Sequence, residues 1–316
     1  MQGRFRVGAL VLRNDGTAIA RVVQGLTLYL DAPHHWSREG AALALETFLR
    51  RVPVSGLAWF STSMQPEWRR VDGARGLQTL AEALRSWSGA IAESARHGFF
   101  FEVGTEPRTP ELGFYYREVD PRRTERASVI EISMPQSWPA GWLHDLALEL
   151  AEIGPFHCGV GGYQIRWDWR WKRHAHSQAY LWCGRFWGLD VQDSELWSTL
   201  ATTSLPGTNW LTLVGRGLAD RARFDLAKLA EAPTEHGLTL FPLPYGIVVR
   251  ASEVPDDGDI HRAGYPESYA VVARTLAPMF PEEPPELWGM FGGREQTRTW
   301  MRRFIDPKAW SDRDLG

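Results

Sequence analysis

Apolar and polar residues alternate through "FRVGALVLRNDGTAIARVVQGLTLYL" on both sides of Asn14-Asp15-Gly16. Period two is the pattern of a half-buried strand, and Asn-Asp-Gly tolerates the positive φ of a tight turn, so this segment predicts a hairpin. The period then changes. "SREGAALALETFLRR" sets Ala42, Leu43, Leu45, Phe48 and Leu49 largely on one helical face, with Ser37 as its cap and Pro53 as its stop. "GLAWFSTS" reads as a strand and "GLQTLAEALRSW" as a second amphipathic helix through Leu77, Leu80 and Leu84.

Three strand-like runs follow, "GFFFEVGT", "LGFYYREV" and "ASVIEISM", separated by the turn-forming "EPRTPE" and "DPRRTER". "WPAGWLHDLALELAEIG" predicts a helix with Pro139 in its first turn and Gly154 at its stop. "SQAYLWCGRFW" reads as helix, "NWLTLVG" and "LTLFPLPYGIVVRAS" as strands, and "PESYAVVARTLAPM" and "REQTRTWMRRFI" as late helices. The strands come in hairpin-like groups, not in strict alternation with helices. The pattern therefore predicts an α+β fold, a largely antiparallel sheet with flanking amphipathic helices. No linker divides the chain, so residues 1–316 are expected to form one compact unit.

The stretch "GVGGYQIRWDWRWKRHAH" holds the densest concentration of candidate chemistry. Ile165, Trp167, Trp169 and Trp171 alternate with Arg166, Asp168 and Arg170, which predicts a strand with an aromatic face built into the core. Gly159, Gly161 and Gly162 fit no phosphate-binding spacing, and mark a bulge or a close backbone approach. His174 and His176 would share a face on an extended segment, but no third ligand is apparent, so they read as surface or loop residues, as do His34 and His35. The chain has no G-x-S-x-G, H-E-x-x-H, C-x-x-C or P-loop motif. Neither a metal nor a cofactor is expected.

Composition narrows the class. The chain is 44% apolar and 23% charged, as in globular proteins, and no apolar run reaches the roughly 18 residues of a membrane span. "VGALVL" is too short for a signal sequence, and the two cysteines, Cys158 and Cys183, read as buried thiols. A cytoplasmic location is expected. The net charge of −3 is uneven: residues 251–291 hold eight acids against Arg262 and Arg274, a net of −6. Such a segment repels nucleic acid and attracts basic partners.

"PFHCGVGGYQI", "CGRFWGLDV", "TNWLTLVG" and "YPESYAVVARTLAPM", in that order, resemble the type VI secretion immunity-protein family over about Leu26 to Met279. The tail from about residue 280 to 316 then reads as a C-terminal extension. The resemblance implies a cytoplasmic antitoxin, not an enzyme, that binds and neutralises a secreted effector protein. Effectors of related proteins include nucleases of the restriction-endonuclease type. If the partner is a nuclease, its basic cleft would suit Asp256, Asp257, Asp259, Glu282, Glu283 and Glu286, with Tyr265 and Trp288 as aromatic anchors. Two other readings stay open. A hydrolase would bring His157, His174, His176 or several acids into one cleft. A carbohydrate- or nucleotide-binding module would expose Trp167, Trp169 and Trp171 together.

Overall fold

The computed structural model describes residues 10–31, 36–63, 65–71, 76–82, 84, 99–119, 125–229, 237–262 and 264–312. Among these, eleven strands join in one sheet: β1 (Val11–Asn14), β2 (Thr17–Leu30), β3 (Trp59–Thr62), β4 (Gln65–Arg70), β5 (Phe99–Gly104), β6 (Gly113–Glu118), β7 (Ser128–Met134), β8 (Phe156–Trp167), β9 (Leu211–Gly215), β10 (Thr239–Leu243) and β11 (Gly246–Arg250). Their order is β10-β11-β9-β8-β2-β7-β6-β5-β3-β4, with β1 paired to β2, and every pairing is antiparallel. The α+β reading holds.

The first hairpin closes at Asp15 and Gly16, whose φ values of 48° and 78° are the left-handed pair that a two-residue turn needs. β2 is buried along all but its first residue, because it lies between β7 and β8 and is covered on both faces. Its polar residues are therefore bonded internally: Gln24 Nε2 donates to the carbonyls of Gln136 and Trp138 at 3.1 and 2.7 Å.

Two helices cover one face. α1 (Ala41–Arg51) follows a π-helical turn at Trp36–Gly40, so it begins four residues beyond the expected Ser37 and has no side-chain cap. Its buried stripe is Ala41, Ala42, Ala44, Leu45, Thr47 and Phe48. Leu43, expected on that stripe, is exposed. The Phe48 ring meets the Phe114 ring at 5.7 Å, which seats α1 on β6. α2 (Ala140–Ile153) starts after Pro139 and ends at Gly154, as its sequence predicts. Arg51 ties the pair through ion pairs to Asp145 and Glu149. The helix predicted around Leu77, Leu80 and Leu84 is present, and those three leucines are buried; Arg85, Ser86 and Trp87 lie outside the described residues, as do His34 and His35.

The tryptophan strand is shorter than its period suggests. β8 stops at Trp167, and Asp168 Oδ1 accepts the Arg170 N–H at 3.1 Å, turning Trp169–Trp171 into a 3₁₀ helix that runs on into α3 (Lys172–Arg185). Ile165 is buried, Trp167 and Trp171 are half-buried, and Trp169 is 77% exposed. The predicted core wall thus ends two tryptophans early, and the rings do not form an exposed ladder either. The glycines stand in unbroken register opposite β2, and the irregularity falls near Leu30 instead. Gly162 is needed for close approach: a Cβ there would lie 2.5 Å from Asn209 Oδ1.

The C-terminal residues enter the same core. After α4 (Ser194–Leu200), α5 (Arg216–Arg221) and α6 (Glu267–Thr275) come α7 (Arg294–Met301) and α8 (Pro307–Ser311). Trp300, Phe304 and Trp310 are buried, and the buried Arg303 donates to the carbonyls of Trp187 and Leu189 at 2.8 and 3.0 Å. Both cysteines are buried free thiols.

Candidate functional site

On β5, β6 and β7 the period-two pattern sorts residues cleanly. Phe101, Val103, Phe114, Tyr116, Ile130 and Ile132 are buried, while Glu102, Tyr115 and Glu131 are half-buried. The pairing register sets Ser61 opposite Glu102, Glu102 opposite Tyr115, Tyr115 opposite Glu131, and Glu131 opposite Thr27. Five polar side chains therefore lie in one row across β3, β5, β6, β7 and β2, spanning about 19 Å at ordinary strand spacing.

Ser61, Glu102, Tyr115 and Glu131 of this row line a groove of about 940 Å³, while Thr27 is buried beneath the surface. Trp68, Phe100 and the Pro107–Pro110 loop line one part; Trp167, Trp169, Arg170, Lys172 and residues Asp193–Glu195 line another. The neighbouring part of the same face is closed by the chain leading into α4, where the Tyr29 hydroxyl donates to Gln192 Oε1 at 2.8 Å.

Most cations of the groove are already committed. Arg166 pairs with Glu131 at 2.5 Å and donates to the carbonyls of Leu26 and Ile132 at 3.2 Å each. Arg170 pairs with Asp168 at 2.6 Å, and Lys172 Nζ lies 2.6 Å from Asp193 Oδ2. Arg117 donates to the Ser194 carbonyl at 3.0 Å. Glu102 has no ion pair with a cation among the described residues. Burial, reinforced by the nearby Glu131 charge and only partly offset by Arg166, pushes its carboxyl up to about 8. In the free protein at neutral pH it is therefore mostly protonated.

At one end of the groove, Lys172 also sits 5.7 Å from the ring centre of Trp288, which is 54% exposed. The Trp288 N–H donates to His176 Nδ1 at 3.0 Å. His176, expected at the surface, is fully buried against Trp167 with its Nε2 3.6 Å from Asp193, and burial lowers it to about 4. His174 and His176 lie on a helix, so they do not share a face as they would on a strand. His157 instead meets Arg221 at 2.6 Å and Asp31 at 3.5 Å, and burial lowers it to about 4. The three histidines of the hydrolase reading do not converge. Among the described residues, no three His, Cys, Asp or Glu side chains group as a metal site would require.

The acid-rich segment does not form one surface. Asp256 is exposed and Asp257 half-buried, and their carboxylates accept the N–H groups of Gly258 and Asp259 at 2.8 and 3.1 Å. Asp259, expected at the surface, is buried between Arg185 and Arg262 at 2.9 and 3.0 Å, and the Arg185 hydrogen bond holds it below its usual range. Tyr265 stacks on Trp187 at 5.4 Å. Glu282, Glu283 and Glu286 are exposed, with Glu283 paired to Arg294 at 3.2 Å. Asp259 meets the C-terminal end of α3 and Trp288 its first turn, so these two candidates stand about 20 Å apart along a fourteen-residue helix. Only Trp288 borders the groove. Sequence reading missed Glu102, Tyr115, Glu131 and Arg166, although a charged residue in the middle of "FFFEV" and "VIEIS" was the visible signal.

The chain belongs to a family of type VI secretion immunity proteins. Its residues 42–304 match the family described as "TsiV: Type VI immunity for VRR-NUC". The match begins later than Leu26 and runs past Met279, so it takes in most of the C-terminal segment. The chain also has the fold of the Pseudomonas aeruginosa T6SS protein PA0821, with a TM-score of 0.78 at 20% identity over 96% of this chain and 91% of that one. No curated protein matches it significantly. Among the described residues no helix is long and apolar enough to cross a membrane.

Proposed function

We propose that this immunity protein binds a cognate VRR-NUC effector directly and holds it inactive in the producing cell. The observation that carries this reading is the family match, which spans residues 42–304 and so includes strands β3 to β11, the residues that line the groove, and α3. A protein that restrains a folded enzyme needs roughly 1,200–2,000 Å² of complementary surface and a few aromatic anchors. Exposed Trp169 and Trp288 are side chains of that kind. The test is co-purification of the tagged chain from cells that also make the effector. A stoichiometric partner that kills cells when expressed without this chain supports the reading. A chain that elutes alone while the effector is present contradicts it.

A further inference from the structure

We infer that the groove is the surface that receives the effector, with Glu102 accepting a basic side chain of the nuclease domain and Trp169 and Trp288 anchoring the rim. This inference rests on the immunity reading above. Its physical basis is an imbalance at the groove floor. Arg166, Arg170 and Lys172 each already face a carboxylate, whereas Glu102 faces none of them as an ion-pair partner. A half-buried carboxyl that is flanked by another acid and pairs with no cation among the described residues is a group that an arriving cation would ionise and pair with.

A nuclease domain is a ready source of such a charge. Enzymes that cleave nucleic acid hold the phosphate backbone with Lys and Arg, so their working surface offers exposed cations. The rest of the geometry fits a protein occupant. The part of the row that lines the groove, from Ser61 to Glu131, is about 14 Å long, enough for a protruding loop or hairpin. Trp169 lines the groove at 77% exposure, and Trp288 adjoins it through Lys172. Large exposed aromatics beside a polar floor are the composition of interface hot spots.

The test is titration calorimetry of the full-length chain with the purified VRR-NUC domain. It compares wild type, Glu102→Gln, Trp169→Ala and Glu152→Gln, the last an exposed position on α2 on the helix-covered face. The inference expects Kd to rise at least about tenfold for Glu102→Gln, about thirtyfold for Trp169→Ala, and not at all for Glu152→Gln. Thermal unfolding of each variant verifies that the fold persists. If wild type binds and both groove variants bind equally well, the groove assignment is overturned and the immunity reading stands. If wild type neither binds nor inhibits the nuclease, the immunity reading falls and takes the groove with it. If the chain instead forms a concentration-dependent dimer that Trp169→Ala abolishes, the groove belongs to a second copy and the inference is wrong.

Discussion

Lys172 connects the groove to Trp288. Its ammonium lies 2.6 Å from the Asp193 carboxylate and 5.7 Å from the centre of the Trp288 ring. The ring is thereby held at the groove's edge while staying 54% exposed. Trp288→Ala removes the exposed face and a cation–π contact but keeps the backbone hydrogen bond to His176. We expect a stability loss of only about 0.5–1 kcal/mol. Effector affinity should fall about thirtyfold, as for an interface hot spot. Urea melts and calorimetry on the same variant measure both. A large stability loss with unchanged affinity would make Trp288 a packing residue.

His176 predicts a pH dependence of stability. Burial lowers it to about 4 in the fold, against about 6.5 in an open chain. Between those values the unfolded chain binds the proton and the folded chain does not. Its contribution is therefore fully present above pH 6.5 and is lost as pH falls towards 4, on the order of 3 kcal/mol in all. His176→Asn keeps an acceptor for the Trp288 N–H and does not titrate. The stability gap between wild type and this variant should shrink as pH drops from 7 to 4.5. Because His157 behaves alike through burial, the difference between the two proteins is the diagnostic quantity. A constant gap would show that His176 is not held neutral.

Glu102 gives the opposite sign. Its folded value of about 8 lies above that of an unfolded glutamate, so the fold takes up a proton between about pH 4.5 and 8 and loses stability as pH rises through that window. Glu102→Gln should therefore be more stable than wild type at pH 7, on the order of 3 kcal/mol, with the advantage gone by pH 4.5. The groups facing Glu102 are Ser61 on β3, Tyr115 on β6, Glu131 on β7, Arg166 on β8 and Asp168 just beyond it. Effector binding that ionises Glu102 should tighten from pH 6 to 8 in wild type and stay flat in Glu102→Gln. Calorimetry across that range checks it.

Arg303 anchors the C-terminal segment to the centre of the molecule. It is buried, donates to the carbonyls of Trp187, Trp300 and Leu189, and lies over the rings of Trp300 and Phe304. Arg303→Ala leaves three carbonyls without this donor and opens a cavity, at an expected cost of about 3–5 kcal/mol. Truncation after Gly293 removes the buried Trp300 and Trp310 and should abolish cooperative unfolding. A truncated chain that melts cooperatively near the wild-type temperature would show that the segment is dispensable.

The sheet was largely legible because period two is a local property. "FFFEV", "FYYRE" and "VIEIS" each declare two faces within five residues. Strand β4, "QPEWRR", has no such alternation, and the structure shows it pairing through its backbone with β3. The tryptophan run failed for a different reason. Its alternation continues through Trp171, but the bond from Asp168 to the Arg170 N–H turns the chain, and a local side-chain cap overrides the pattern. The acidic segment was misjudged because summed charge carries no geometry. Asp259 is neutralised by Arg185, 74 residues away in sequence. The groove needs Glu102, Glu131 and Arg166 from three strands, and register between distant strands is not written in any one of them.

The most direct measurement is nuclease activity of the purified VRR-NUC effector titrated with this chain. Cleavage should be lost stoichiometrically, completely near one chain per effector, with Trp169→Ala shifting the curve to much higher concentration. Undiminished cleavage at a large excess of folded chain would contradict direct inhibition.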